Sequence, residues 1–237
     1  MADSWHRRTL EHRSALFAAL TTAAISIGGM VEIAPMFSMP IDTTGISNYT
    51  PLQVAGRDIY VREGCYNCHS QMIRPLRSET LRYGTWSRAE EYAWDRPFQL
   101  GSRRIGPDLM RVGGKYPNAW HFEHLRDPRS TSPGSIMPSY HWLIDDKVDP
   151  ADITASINAL RRLGAPYPAD LDVAASMHAD AQVIVDNLAT AKVTVEPDRE
   201  VIALIAYLQH LGVDGRKKWG DGTTADAAPV GTPAEAP

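Results

Sequence analysis

Cys65-Tyr66-Asn67-Cys68-His69 constrains this chain more than any other stretch. Two thiols separated by two residues, followed at once by an imidazole, is the spacing of covalent c-type haem attachment. The thiols reach the two vinyl groups on one edge of the porphyrin, and the histidine presents a nitrogen to the iron from one face. Cys65 and Cys68 are the only cysteines among the 237 residues. They cannot make a four-cysteine zinc site, and no thiol is left over for a disulfide. A thioredoxin-like redox pair would need a βαβ setting, and no such pattern flanks the motif. The motif therefore reads as one covalent haem c, with thioethers at Cys65 and Cys68 and His69 as an axial iron ligand.

A second feature sets the compartment. Ser14 to Val31 carries no charged residue, and apolar character continues past Glu32 to Phe37. A helix needs about 20 such residues to cross a bilayer, so residues 14–38 read as a transmembrane anchor. A cleaved signal peptide is the alternative. The run is long for that, and no small-X-small site follows it cleanly. His6, Arg7, Arg8, His12 and Arg13 precede the span. Positive residues stay inside, which puts residues 1–13 in the cytoplasm and the haem motif outside. In a bacterium this means one pass through the inner membrane with the large part in the periplasm, where haem c is attached. Glu32 falls late in the span, near the outer interface, where an ionisable group costs little. The net charge of −4 shows no basic excess, which argues against a nucleic-acid partner.

Residues 39–49 read as a linker and 50–213 as the cytochrome domain. Thr50-Pro51 has the form of an N-cap followed by proline at the first helical position, opening a helix that runs to about Glu63 and delivers Cys65. Ser70 to Leu109 is rich in arginine and poor in helix signals. Most of these arginines read as a solvated surface, but a guanidinium suits a haem propionate, and Arg103 and Arg104 are the candidates. Gly106-Pro107-Asp108-Leu109 follows them. A proximal histidine needs its second nitrogen tied to an acceptor, and the Pro107 carbonyl is placed to do this. Helical patterns follow at 120–126, 152–164, 172–188 and 199–211, with an extra segment over about 166–196. Residues 214–237, ending in a stretch rich in Ala, Pro, Thr and Gly, read as a disordered tail.

The sixth iron ligand decides what such a haem does. Met72 is too close to His69 to reach the far face. Met110 and Met177 lie in segments that read as packed structure. Met137 sits in the Pro-flanked loop Ser132–Pro138, which is free to wrap a porphyrin face, and is the chosen axial candidate. His121, His124, His141, His178 and His210 are its rivals.

These residues together resemble a known family. Ile25–Ile33 of the anchor, Gly56–Pro75 around the motif, Gly106–Leu109, Arg111-Val112-Gly113-Gly114, Met137-Pro138 and Ala206-Tyr207-Leu208-Gln209 are similar to the mono-haem cytochrome c subunit, subunit II, of cbb3-type cytochrome c oxidases. The resemblance implies a mainly α protein, with one N-terminal transmembrane helix and a periplasmic class I cytochrome c domain. It implies that Gly56 and Tyr60 cross Tyr207 and Leu208. It also implies an electron-transfer subunit, with no oxygen chemistry of its own, in a proton-translocating complex. Its partners would be a haem-copper catalytic subunit and a di-haem cytochrome c subunit, with a soluble cytochrome c as a further donor. The chain has no His/Cys cluster suited to copper. Two other readings stand beside this one. One is the cytochrome subunit of a nitric oxide reductase, and the other is an anchored haem sensor or peroxidase with an open iron.

Overall fold

The computed structural model describes residues 12–38, 41–101 and 103–220. Residues 1–42 form one compact unit and 43–237 another. The first is the helix α1, Ser14–Ser38, whose 24 residues Ser14–Phe37 have a mean hydropathy of 1.7. At 1.5 Å per residue its 25 residues extend about 37 Å, enough for a hydrocarbon layer about 30 Å thick.

The second unit is helical, and no strand occurs among the described residues. The helix α2, Pro51–Arg62, starts as expected. Gln53 N–H donates to the Thr50 hydroxyl at 3.4 Å, and Thr50 N–H donates to the Gln53 side chain at 3.0 Å, closing a capping box. The short helix α3, Arg77–Tyr83, falls in the segment that showed few helix signals. The helices α4, Asn118–Arg126, and α5, Pro128–Thr131, precede the Met137 loop. The helix α6, Pro150–Arg162, begins two residues before the expected Asp152 because Asp149 caps it and Pro150 takes its first turn. The helix α7, Val173–Thr190, is capped by Asp172. The helix α8, Glu200–His210, is buried along nearly its whole length.

The most extensive packing pair is α2 with α8. The implied crossing is present. A Cβ on Gly56 would overlap the Ala203 carbonyl and lie 2.8 Å from the Tyr207 Cβ, so the two backbones touch. Four residues on, Tyr60 meets Tyr207 with ring centroids 5.4 Å apart. Both tyrosines are buried, and Val201, Ile202, Leu204 and Ile205 bury the other faces of α8. Each such side chain contributes about 1.5–3 kcal/mol by leaving water. The segment over 166–196 is integral to this core. Its helix α7 packs on α2, α4, α6 and α8, burying Val173, Met177, Ala181 and Leu188.

The domain extends further at both ends than its sequence pattern indicates. Tyr49 is buried in the core, and Ser47 N–H donates to Asp214 at 2.8 Å, so the end of the expected linker belongs to the domain. Past Gly212 the chain forms the helix α9, Val213–Trp219, where a disordered tail was expected from residue 214. It is held because Asp214 binds Ser47 and because the indole of Trp219 lies 4.8 Å under the Arg88 guanidinium. The remainder of that tail, 221–237, lies outside the described residues, as do residues 1–11.

Gly56→Ala is expected to lower stability by about 1–3 kcal/mol or more through overpacking at the crossing. Thermal unfolding of the detergent-solubilised chain, followed by helical circular dichroism, should show a clearly reduced Tm.

Candidate haem-binding site

The motif follows α2 without a break. Gly64 takes φ +69°, a left-handed conformation that ends the helix and turns the chain into the short 3-10 turn Cys65–Asn67. Cys68 and His69 N–H both donate to the Cys65 carbonyl, at 3.1 and 3.0 Å. Cys65, Cys68 and His69 all line one cavity of about 1430 Å³. Pockets for drug-sized ligands run about 300–1,000 Å³, so this one suits a larger body. Its apolar wall comes from Leu109, Val112, Leu125, Leu204 and Leu208.

His69 is fixed from behind. Its Nδ1 lies 2.7 Å from the Pro107 carbonyl, the contact expected from the Gly106–Leu109 run. A carbonyl only accepts, so Nδ1 carries the proton and Nε2 is left with its lone pair. Gly106 lies flat against the ring; a Cβ there would sit 2.7 Å from Nδ1 and 2.8 Å from Nε2. Burial lowers the His69 pKa, opposed by the Pro107 carbonyl and the Asp108 carboxylate, so the ring is held neutral. A neutral imidazole with a fixed tautomer is what a metal ligand requires.

Asp108 and Arg104 form the frame behind this ring. Asp108 accepts from the Ser70 hydroxyl at 2.6 Å, from Met72 N–H at 2.9 Å and from Met110 N–H at 2.8 Å. Arg104 donates to the Ser70 hydroxyl, to the Met72 carbonyl and to Glu79, at 2.7, 2.8 and 2.7 Å. Its guanidinium is thus committed to tying α3 to the haem-motif loop. Arg103 is exposed, and neither arginine lines the cavity. The basic residues that do line it are Arg82, Arg111, Lys115 and Arg216. Arg111 is also buried and grips Glu91 with both terminal nitrogens, at 2.6 and 2.8 Å, although its segment read as a solvated surface.

Of the four methionines weighed as ligands, only Met137 lines the cavity. Met110 is packed with Ile73 and Tyr92, and Met177 lies in the main core. Among the rival histidines, His121 and His124 line the cavity and His141, His178 and His210 do not. His121 is buried, its pKa lowered to about 4 by burial and by His124. His124 stacks on Trp120 at 4.5 Å, which stacks in turn on Tyr116 at 4.0 Å. Trp120 and His124 are four residues apart on α4, which sets their rings together, and Tyr116 adds to the stack from the turn before the helix.

The thiols speak against a redox or zinc role. Burial pushes the Cys65 thiol up to about 12, the opposite of a reactive thiolate. Among the described residues there is also no group of three His, Cys, Asp or Glu able to hold a metal ion. The residues do fit a haem: a large apolar cavity, two thiols on its wall, and a neutral imidazole pressed against a glycine.

A helical domain built round such a cavity, in a chain that also carries a membrane-length helix, defines a membrane-anchored c-type cytochrome. The chain belongs to the family described as cytochrome C oxidase, mono-heme subunit/FixO, whose model matches residues 7–214. It is therefore a mono-haem cytochrome c subunit of the cbb3 oxidase type, as the motif resemblance implied. Among curated proteins, none matches the chain.

The Arg104 and Arg74 guanidiniums hold the Glu79 carboxyl down at about 2, against an ordinary 4.5. A carboxylate depressed in the fold stabilises it fully above its unfolded pKa and loses that contribution as pH falls from about 4.5 to about 2. Glu79→Gln should therefore lower stability at neutral pH and flatten the acid limb of the denaturation curve across that interval. Chemical denaturation at a series of pH values measures both.

Proposed function

We propose that this chain is the electron-transfer subunit of a cbb3-type terminal oxidase. It takes electrons from a di-haem cytochrome c subunit or a soluble cytochrome c and passes them to the haem-copper catalytic subunit that reduces oxygen to water. Its N-terminal helix is a single pass through the bacterial inner membrane, with the N-terminus cytoplasmic and the cytochrome domain periplasmic. The observation that carries this reading is the pairing of His69, tied through Nδ1 to Pro107, with Met137 on the same apolar cavity, in a chain of the mono-haem family.

In this reading Cys65 and Cys68 hold one haem c by two thioethers, and His69 and Met137 are its axial ligands. The bound haem supplies one-electron chemistry at its iron. The chain's residues keep that chemistry clean. The Pro107 carbonyl and Gly106 fix the imidazole plane. Leu109, Val112, Leu125, Leu204 and Leu208 exclude water. A thioether ligand in dry surroundings favours electron transfer, whereas an open position would favour ligand binding. Arg82 and Lys115 are the cavity-wall cations that propionates would meet first; Arg104 is already engaged by Glu79 and Ser70, Arg111 by Glu91, and Arg216 by the Arg111 and Gly113 carbonyls. Oxygen reduction and proton translocation belong to the catalytic subunit.

Purification of the tagged chain from solubilised membranes tests the assignment. A partner carrying haem b and copper should co-purify and consume oxygen with an artificial donor. A chain that emerges alone, or with a partner that reduces nitric oxide and not oxygen, refutes it. Met137→Ala should lower the reduction potential by on the order of 100 mV, within the ~0.8 V that axial ligands span, and let carbon monoxide bind. A redox titration and a carbon monoxide difference spectrum measure the two effects. An unchanged potential would exclude Met137.

A further inference from the structure

Resting on that electron-transfer reading, we propose that the arginine-rich face at the cavity mouth, formed by α3 and residues 103–105, is the docking surface for a mobile acidic electron-carrier protein. Within the segment Ser70 to Leu109, Arg77, Arg82 and Arg103 of this face are exposed; Arg74 is exposed too but pairs with Glu79. The acids of the same segment are withdrawn from the surface. Glu79, Asp95 and Asp108 are buried, the Glu91 carboxylate is held by buried Arg111, and Glu90 is half-buried. Among the described residues of this segment, no acidic side chain is exposed.

This sign asymmetry is local, because the chain as a whole carries −4. It is also placed beside the site. Leu81 and Ile105 are 76% and 56% exposed, and both line the cavity that holds Cys65, Cys68 and His69. The two parts of the face are joined, since Arg104 lies 5.2 Å over the Tyr83 ring and binds Glu79 of α3. An exposed charge with no opposite neighbour raises the encounter rate with a partner of opposite sign. A few exposed apolar side chains inside a charged collar suit a small, short-lived contact. The chemistry that matches is a carboxylate-rich rim around the redox centre of the carrier. In the encounter the carrier loses one electron and is oxidised, this chain gains it and is reduced, and no bond forms or breaks.

The test uses the purified oxidase complex and the double variant Arg77→Gln, Arg103→Gln. Neither residue lines the cavity. Stopped-flow absorbance follows reduction of the c-type haem by a reduced acidic cytochrome c, and separately by hydroquinone, a small neutral reductant. The wild-type rate with the acidic cytochrome should fall about tenfold between low and physiological salt, as steered associations do. The variant should start about tenfold slower and show little salt dependence, with its hydroquinone rate unchanged. Equal rates and equal salt slopes in the two proteins would overturn the proposal. So would loss of the catalytic subunit from the variant during purification, which would make the face an assembly interface. Binding of the wild type, but not the variant, to phosphatidylglycerol vesicles with unchanged cytochrome kinetics would overturn it in favour of a lipid surface. Failure of the broader reading looks different: the wild-type complex would show no low-spin c-type haem before any rate is measured.

Discussion

The backbone contact between α2 and α8 at Gly56 is the constraint on which the remaining arrangement depends. Two helices approach this closely only where one contributes no Cβ, and Gly56 against Ala203 provides that. The contact does more than fill a core. It sets Tyr60 on Tyr207, and it places Leu204 and Leu208 of α8 on the wall of the cavity that Cys65 and His69 line from the end of α2. The Tyr207 hydroxyl then reaches Gln71 at 3.0 Å, just past the motif. One crossing therefore fixes both where the thiols start and what apolar surface faces them.

Buried ions hold the long segment between the motif and α4, where helices are short. Arg57 is buried and paired with Asp95 and the Pro97 carbonyl; Arg111 grips Glu91; Arg104 grips Glu79. A pair of this kind contributes little beyond its own desolvation, but removing one partner strands a charge in a dry site. Such pairs are better suited to specifying one arrangement than to adding stability. Here they specify the path of the chain from Ser70 to Leu109, and with it the position of Gly106 and Pro107 behind His69.

What the sequence made legible follows from the range of each interaction. The capped start at Thr50-Pro51, the Cys65–His69 spacing, the Gly106-Pro107 turn and the Met137 loop are all signalled within a few residues. The anchor follows from one apolar run and the separate helical segments from periodicity, while the mainly α cytochrome class came with the family resemblance. The setting of Arg104 has no local signal, because the acid that claims it is Glu79, 25 residues away on a helix with weak local signals. The Arg111–Glu91 pair has no local signal for the same reason, at a separation of 20 residues. The end of the domain has a weak local signal because α9 is short and contains Gly215. What orders it is distant: Ser47 on Asp214, and Arg88 over Trp219.

The same withdrawal of acids into buried pairs links structure to surface. Every carboxylate drawn inward to satisfy an arginine of the scaffold is removed from the exterior, where it would have balanced another arginine. Drawing Glu79, Glu91, Asp95 and Asp108 into the scaffold thus leaves no exposed acid in that segment to balance Arg77, Arg82 and Arg103, while Arg74 still pairs with Glu79. A scaffold of internal ion pairs in a segment rich in arginine produces a positive rim beside the cavity as its physical consequence. No separate feature is needed to create it.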